Sequence, residues 1–433
     1  VMVTDRAVAE MTANQVLEFV EDQHAVRQQA ERDILRAAYQ WAVLHNPDTL
    51  PVHDKRGRDR ARPAGAEGTP RITEYAAAAF GARIQTSPFG AKRLIADAVD
   101  LHHRLPKLQA GIDAGTVRVR QARHVAEATR DLTADEAAWV DDEIHEVADG
   151  RLPWARFETL VEAKVAAAAP ELARAKEEAA EKDRFVRMSR VNRHGIATLT
   201  IRDHATTILA ADAALNAVAR QLEEAMPDVS KPERKLAAFA LLINPDTHPD
   251  LAAGPVRPKV RIHLHLTPDS PIARFEGHGP VTVEWVRKTI AHLAGKVQVQ
   301  PVIDLNQTMA VDAYEIPQRL REMVHLIHPA DVFPYAVNTS RNVDIDHQEP
   351  HSEGGETSSD NLAPLTRTHH RIKTHAGWQA RQPFPGITIW RDPHGAHYLV
   401  DPTGTRHITP TTGDDTPTPF EIYATQLVLE YAA

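Results

Sequence analysis

Asp344-Ile345-Asp346-His347-Gln348-Glu349-Pro350 decides how this chain is read, together with Gly354-Gly355, Asn361-Leu362 and Thr368-His369-His370-Arg371 just beyond it. Val343 to His347 alternates as a strand does. Gly354-Gly355 permits a sharp turn. After Asp360-Asn361, the residues Leu362, Leu365, His369 and Ile372 fall on a helical period, and Gly377 supplies a stop. The expectation is a hairpin followed by a helix, bringing Asp346 and His347 against His369 or His370.

These residue types suit phosphodiester hydrolysis. That reaction needs a group to deprotonate water, one to stabilise charge on the leaving oxygen, and one to hold both in line. His347 suits the first task, with an ordinary pKa near ~6.5 and a ring that its other nitrogen can orient. Asp346 and a downstream histidine suit the second, because carboxylate plus imidazole is a reasonable set for Mg²⁺, Mn²⁺ or Zn²⁺. Asn361 suits the third, as an amide that braces a loop. His369 and His370 point about 100° apart on a helix. His369 shares a face with Leu365 and Ile372, which suggests packing toward the core side and leaves it a candidate for metal binding or support, while His370 is the better ligand. His375 lies well off the face of His370 and is the weaker candidate for metal binding or support. Arg367, Arg371 and Lys373 are candidates for DNA-phosphate contacts, or else a solvated helix face.

Taken as a motif, DIDH…P…GG.T…NL..L…HH..K resembles that of the HNH, or ββα-metal, nucleases over about residues 328 to 380. The wider layout is similar to the actinobacterial 13E12-repeat type, in which a helical N-terminal domain of unassigned function precedes an HNH module. The resemblance implies a DNA endonuclease with one divalent ion (Mg²⁺, Mn²⁺ or Zn²⁺) held by Asp346 and His370. It also implies His347 as general base, Asn361 fixing the base-bearing loop, and a product ending in 5′-phosphate. The alternative is a non-catalytic DNA-binding or regulatory protein that keeps the fold; a third reading is a protein–protein adaptor working through the helical region. Many relatives carry a four-cysteine zinc site, whose matching positions here are Asp331, Ala336, Thr366 and His369. Ala336 offers no ligand, so that structural zinc is not expected. Val332, Phe333, Tyr335 and Trp378 are expected to hold the hairpin by packing instead.

The rest of the 433-residue chain gives context. It is too long for one ordinary core, so two or three domains are expected. It has no cysteine, which removes disulfides, thiolate zinc clusters and cysteine nucleophiles. Its net charge of −9 does not advertise nucleic-acid binding, although binding needs only a local patch. No apolar run is long enough for a membrane span and Val1 to Arg6 lacks a signal pattern, so no membrane partner and a cytoplasmic location are expected.

The expected fold class is a mostly α N-terminal region with a small β element, then a C-terminal α+β module of the ββα-metal type with short β-hairpins. Residues 1–305 are read as a mainly helical domain, 306–408 as the module with its hairpins, and 409–433 as linker and terminal helix. Residues 5–45 read as a helix capped by Thr4-Asp5, or by Thr12 if it starts later. Segment 53–68 is a basic loop with Lys55, Arg56, Arg58, Arg60 and Arg62, solvated or touching phosphates. Gly111 and Gly115 mark a short connection. Thr133 to Glu136 is a capping box. Pro170 is expected to kink or split a long helical run. Arg184 to Asp203 suggests a hairpin, Lys259 to Leu266 a strand with His263 and His265 on its polar face, and Val297 to Asp304 another strand. His102, His103, His194, His325, His328 and His394 are read as surface or cap residues.

Overall fold

Caps and prolines lay out the first helices. In the computed structural model the described residues are 8–49, 61–191, 194, 196–243, 263–266, 270–276, 278–292, 308–312 and 315–408. Thr12 opens α1 (Ala13–Leu44) with a capping box to Gln15, so the N-cap is Thr12 and not Thr4-Asp5. A small antiparallel pair follows, β1 (Ala61–Pro63) with β2 (Arg71–Thr73), and β1 falls within the segment read as loop. Lys55, Arg56, Arg58 and Arg60 lie outside the described residues, and Arg62 pairs with Glu74 at 2.9 Å. Then come α2 (Ala76–Arg83), α3 (Pro88–Arg104), α4 (Pro106–Ala114), α5 (Val119–Ala128), α6 (Ala134–Ile144) and α7 (Trp154–Ala168). The Thr133–Glu136 box caps α6 as expected. Gly111 is not a connector: it lies inside α4, where a Cβ would meet Val117 Cγ2 at 2.4 Å. Leu101, Leu105, Leu108, Ile112, Ile144 and Phe157 are fully buried in this helical region.

Two units emerge, one made of 1–168 with 300–433 and the other of 169–299. The single helical domain expected over 1–305 is thus divided at Ala168, next to Pro170, which starts a new helix. The second unit contains α8 (Pro170–Lys182), the ribbon of β3 (Phe185–Met188) and β4 (Leu199–Arg202), then α9 (Ala205–Gln221) and α10 (Lys231–Ile243). It closes with the antiparallel sheet of β5 (Leu264–His265), β6 (Ile272–Phe275) and β7 (Gly279–Thr282), and with α11 (Val283–His292). Val218, Ala219, Leu222, Ala238 and Leu241 form the contact between α9 and α10. His265 Nε2 lies 2.8 Å from Glu276 Oε2. Residues 259–262 of the strand expected over 259–266, all of that expected over 297–304, and the terminal segment 409–433 lie outside the described residues.

The C-terminal part of the first unit is rich in β-structure. It contains β8 (Ala310–Val311), α12 (Gln318–Ile327), β9 (Asp344–His347), β10 (Thr357–Ser358), β11 (Leu362–Leu365) and α13 (Arg367–His375). A meander follows, β12 (Gln379–Phe384), β13 (Ile387–Arg391), β14 (His397–Asp401) and β15 (Gly404–Ile408). Leu362 to Leu365 is therefore a strand with all four residues buried, and the helix begins only at Arg367, capped by Thr366. Val332, Ala363, Leu365, Ala380, Trp390 and Val400 make the core under it, flanked by Phe333, Trp378 and Tyr398. Of the four residues expected to pack the hairpin, Tyr335 is the exception: it is half-exposed at φ +57° and meets Tyr398 edge-on. Trp390 donates its indole N–H to the Val332 carbonyl at 2.8 Å. The meander meets the helical region through Thr405, whose N–H donates to the Arg151 carbonyl at 2.8 Å. Among the described residues, no helix is long and apolar enough to cross a membrane.

Candidate functional site

Strand alternation builds the site. β9 and β11 pair antiparallel, with His347 opposite Leu362 and Asp346 opposite Ala363. Residues two apart on a strand share a face. Ile345 packs against the cluster of Leu320, Val324 and Leu362. Asp344 and Asp346 both reach α13, where His370 stands between them. His370 Nδ1 lies 3.0 Å from Asp344 Oδ2, and His370 Nε2 lies 3.3 Å from Asp346 Oδ1.

Lys373, one turn further along α13, donates to Asp346 Oδ2 at 2.7 Å and to the His347 carbonyl at 2.5 Å. Its side chain is only 13 % exposed, so it faces inward, unlike the phosphate contact expected of it. Arg367 is largely exposed and pairs with Asp344 Oδ1 at 3.1 Å. Arg371 and His375 are exposed on the helix surface.

His347 is 9 % exposed, and its Nε2 lies 2.9 Å from the hydroxyl of buried Thr357. Burial pushes its pKa below the usual imidazole value; Asp346 opposes this, while His351 and Lys373 add to it. The loop after His347 is held by one amide. Asn361 Oδ1 accepts from the Glu349 N–H at 2.8 Å, and Nδ2 donates to the carbonyls of Glu349 at 3.0 Å and Glu356 at 2.9 Å. Gly355 passes beneath this knot, where a Cβ would lie 2.0 Å from the Glu349 carbonyl oxygen. No larger residue fits there without moving the loop.

His369 takes a supporting place. Its Nδ1 lies 2.6 Å from Asp331 Oδ2, and its ring stacks on Phe333 at 4.4 Å. The same Asp331 oxygen accepts from the Thr366 N–H at 2.7 Å, tying the start of α13 to the preceding loop. Asp331, Thr366 and His369 thus meet through hydrogen bonds. His328, read as a surface or cap residue, is the C-cap of α12; it is buried at 4 % exposure rather than on the surface, and burial lowers its pKa to about 4.

Asp346 Oδ1 and His370 Nε2 are spaced as two neighbouring ligands of one cation would be, since bonds of ~2.1 Å at 90–109° put ligand atoms ~3.0–3.4 Å apart. His370 also has its other nitrogen on the Asp344 carboxylate, a contact that commonly orients a metal-binding imidazole. Among the described residues, no group of three or more His, Cys, Asp or Glu is arranged to hold a metal ion. A cation here would therefore keep water or take phosphate oxygens at its other positions, as Mg²⁺ commonly does.

Sequence reasoning leaves two participants, Asp344 and Thr357, without a role and gives Lys373 a different one. Asp344 was visible as the i−2 strand neighbour of Asp346, and Lys373 as the residue one turn after His370. Thr357 stands in the Gly-Gly-x-Thr run, but its contact with His347 had no signal beyond that spacing. Residues 47–249 match the family described as Domain of unknown function (DUF222), just under half of the chain. No curated protein and no solved structure matches the chain.

Proposed function

We propose that the chain is a metal-dependent DNA endonuclease of the HNH, ββα-metal, type. The observation that carries this reading is the meeting of Asp346 with His370 beside a braced, neutral-leaning His347. Asp346 and His370 would hold a divalent cation, with Asp344 orienting His370. When bound, that cation supplies charge stabilisation at the phosphate and its leaving oxygen.

The chain's own residues do the rest. His347 takes a proton from water, the water oxygen bonds to phosphorus, and the bond from phosphorus to the 3′ oxygen breaks. The departing oxygen gains a proton from solvent, and the other fragment keeps a 5′-phosphate. Thr357 fixes the ring of His347, and Asn361 with Gly355 fixes the backbone that carries it. Hydrogen bonds of this kind hold a catalytic group near its working geometry before substrate arrives.

One observation favours the second reading, a non-catalytic DNA-binding or regulatory protein. The Lys373 ammonium lies 2.7 Å from Asp346 Oδ2 and would compete with a cation for that carboxylate. Plasmid nicking by the full chain separates the two, using Mg²⁺, Mn²⁺ or Zn²⁺ against EDTA. The enzyme reading expects nicking in at least one metal and none in EDTA. Absence of nicking in every metal, or nicking untouched by EDTA after exhaustive stripping, contradicts it.

A further inference from the structure

The ribbon of β3 and β4 lies far along the chain from the candidate catalytic residues and plays no part in the chemistry above. Its register pairs Val186 with Ile201 and Met188 with Leu199, so alternation sorts these four onto one face. They remain 71 %, 47 %, 72 % and 46 % exposed, respectively. The opposite face carries Phe185, Arg187, Thr200 and Arg202. Ser189 and Thr198 continue it, joined by Ser189 N–H to the Thr198 carbonyl and by Thr198 N–H to Ser189 Oγ. Arg187 lies over the Phe185 ring at 4.6 Å.

The charge pattern distinguishes this ribbon from its surroundings. Residues 184–202 contain five arginines and no Asp or Glu, in a chain whose net charge is −9. At its base Arg184 pairs with Asp203, and Arg202 with Asp183, both across exposed surface. Further out, Arg187 and Arg190 have no acidic residue between them and the turn. Arginine with serine and threonine hydroxyls is the side-chain set that meets nucleic-acid phosphates. A two-stranded ribbon is also narrow enough for the major groove of duplex DNA.

We propose that the β3–β4 ribbon is a DNA-binding element, its Arg187 face and Arg190 contacting the phosphates of a duplex. This is independent of the nuclease reading. Binding by the ribbon needs neither metal nor His347, and it persists in EDTA.

Fluorescence anisotropy of a labelled 30-base-pair duplex with the full chain, in EDTA and across a salt series, tests it. The Arg187→Ala/Arg190→Ala variant is expected to bind more weakly and to lose about two units of the log–log salt slope, about one per arginine. Arg174→Ala on α8, whose partner is the exposed Glu171, is the control and should leave the slope unchanged. The charge-keeping Arg187→Lys/Arg190→Lys variant should retain most of the slope, which separates lost charge from lost fold. Wild-type slope and affinity in a folded double-alanine variant overturn the proposal. So does a wild-type chain without DNA affinity at low salt, as a ribbon that served a protein partner would give. Loss of nicking in His347→Ala with anisotropy intact would bear on the catalytic site alone.

Discussion

At the residue scale, the account rests on short-range geometry around two imidazoles. Asn361 uses both ends of its amide on three backbone groups of one loop. Asn361→Asp keeps the acceptor but sets a carboxylate oxygen against two carbonyl oxygens. We expect it to cost about 2–4 kcal/mol of stability in urea unfolding and at least tenfold in nicking rate. An unchanged nicking rate would remove Asn361 from the site's support. Asp344 acts through His370, so Asp344→Asn should weaken metal binding by about 10–100-fold while leaving the fold intact. Calorimetric titration with Mn²⁺ reads this directly, and equal affinity in the variant would leave Asp344 without a positioning role.

At the element scale, α13 is fastened at its start. Asp331 holds both the Thr366 N–H and His369 with a fully buried side chain. Asp331→Ala leaves those donors without their acceptor and should cost about 1–3 kcal/mol, measured by urea unfolding. His328, at the end of α12, makes this region acid-sensitive. Its folded pKa of about 4 lies below the unfolded value, so the unfolded state binds the proton first. Its contribution is intact above pH ~6.5 and is lost as pH falls towards about 4. His328→Leu should flatten the loss of stability between pH 7 and pH 5; an unchanged pH dependence would show that other groups control it.

The elements also show what sequence carries. Thr133–Glu136 and Pro170 act within one turn of chain, and their local chemistry was enough to place α6 and the break before α8. Asp346, His370 and Asn361 were legible because their residue types and order restrict what a hairpin and helix can bring together. Leu362 and Leu365 misled because a spacing of three fits a helix, while their real partners are Asp344 to His347 on another strand. Lys373 reads as a phosphate contact or a solvated cation because nothing local reveals that Asp346 lies within its reach.

At the scale of the whole molecule, the two units differ in how much apolar surface they bury. The first contains fully buried Leu101, Ile112, Phe157 and Trp390, while the second rests on a small cluster of Val218, Ala219, Leu222, Ala238 and Leu241. Local stability follows buried contact, so backbone amides of α9 and α10 should exchange with deuterium faster than those of α3 and α6. Comparable protection in both sets, read by mass spectrometry, would argue against this ranking. The catalytic claim itself comes down to one side chain. Plasmid nicking by the His347→Ala variant, in the metal that best supports the wild type and with duplex binding measured alongside, tests it most directly. Cutting is expected to be abolished while DNA and metal binding stay close to wild type; a His347→Ala variant that still cuts at the wild-type rate would remove His347 from the chemistry.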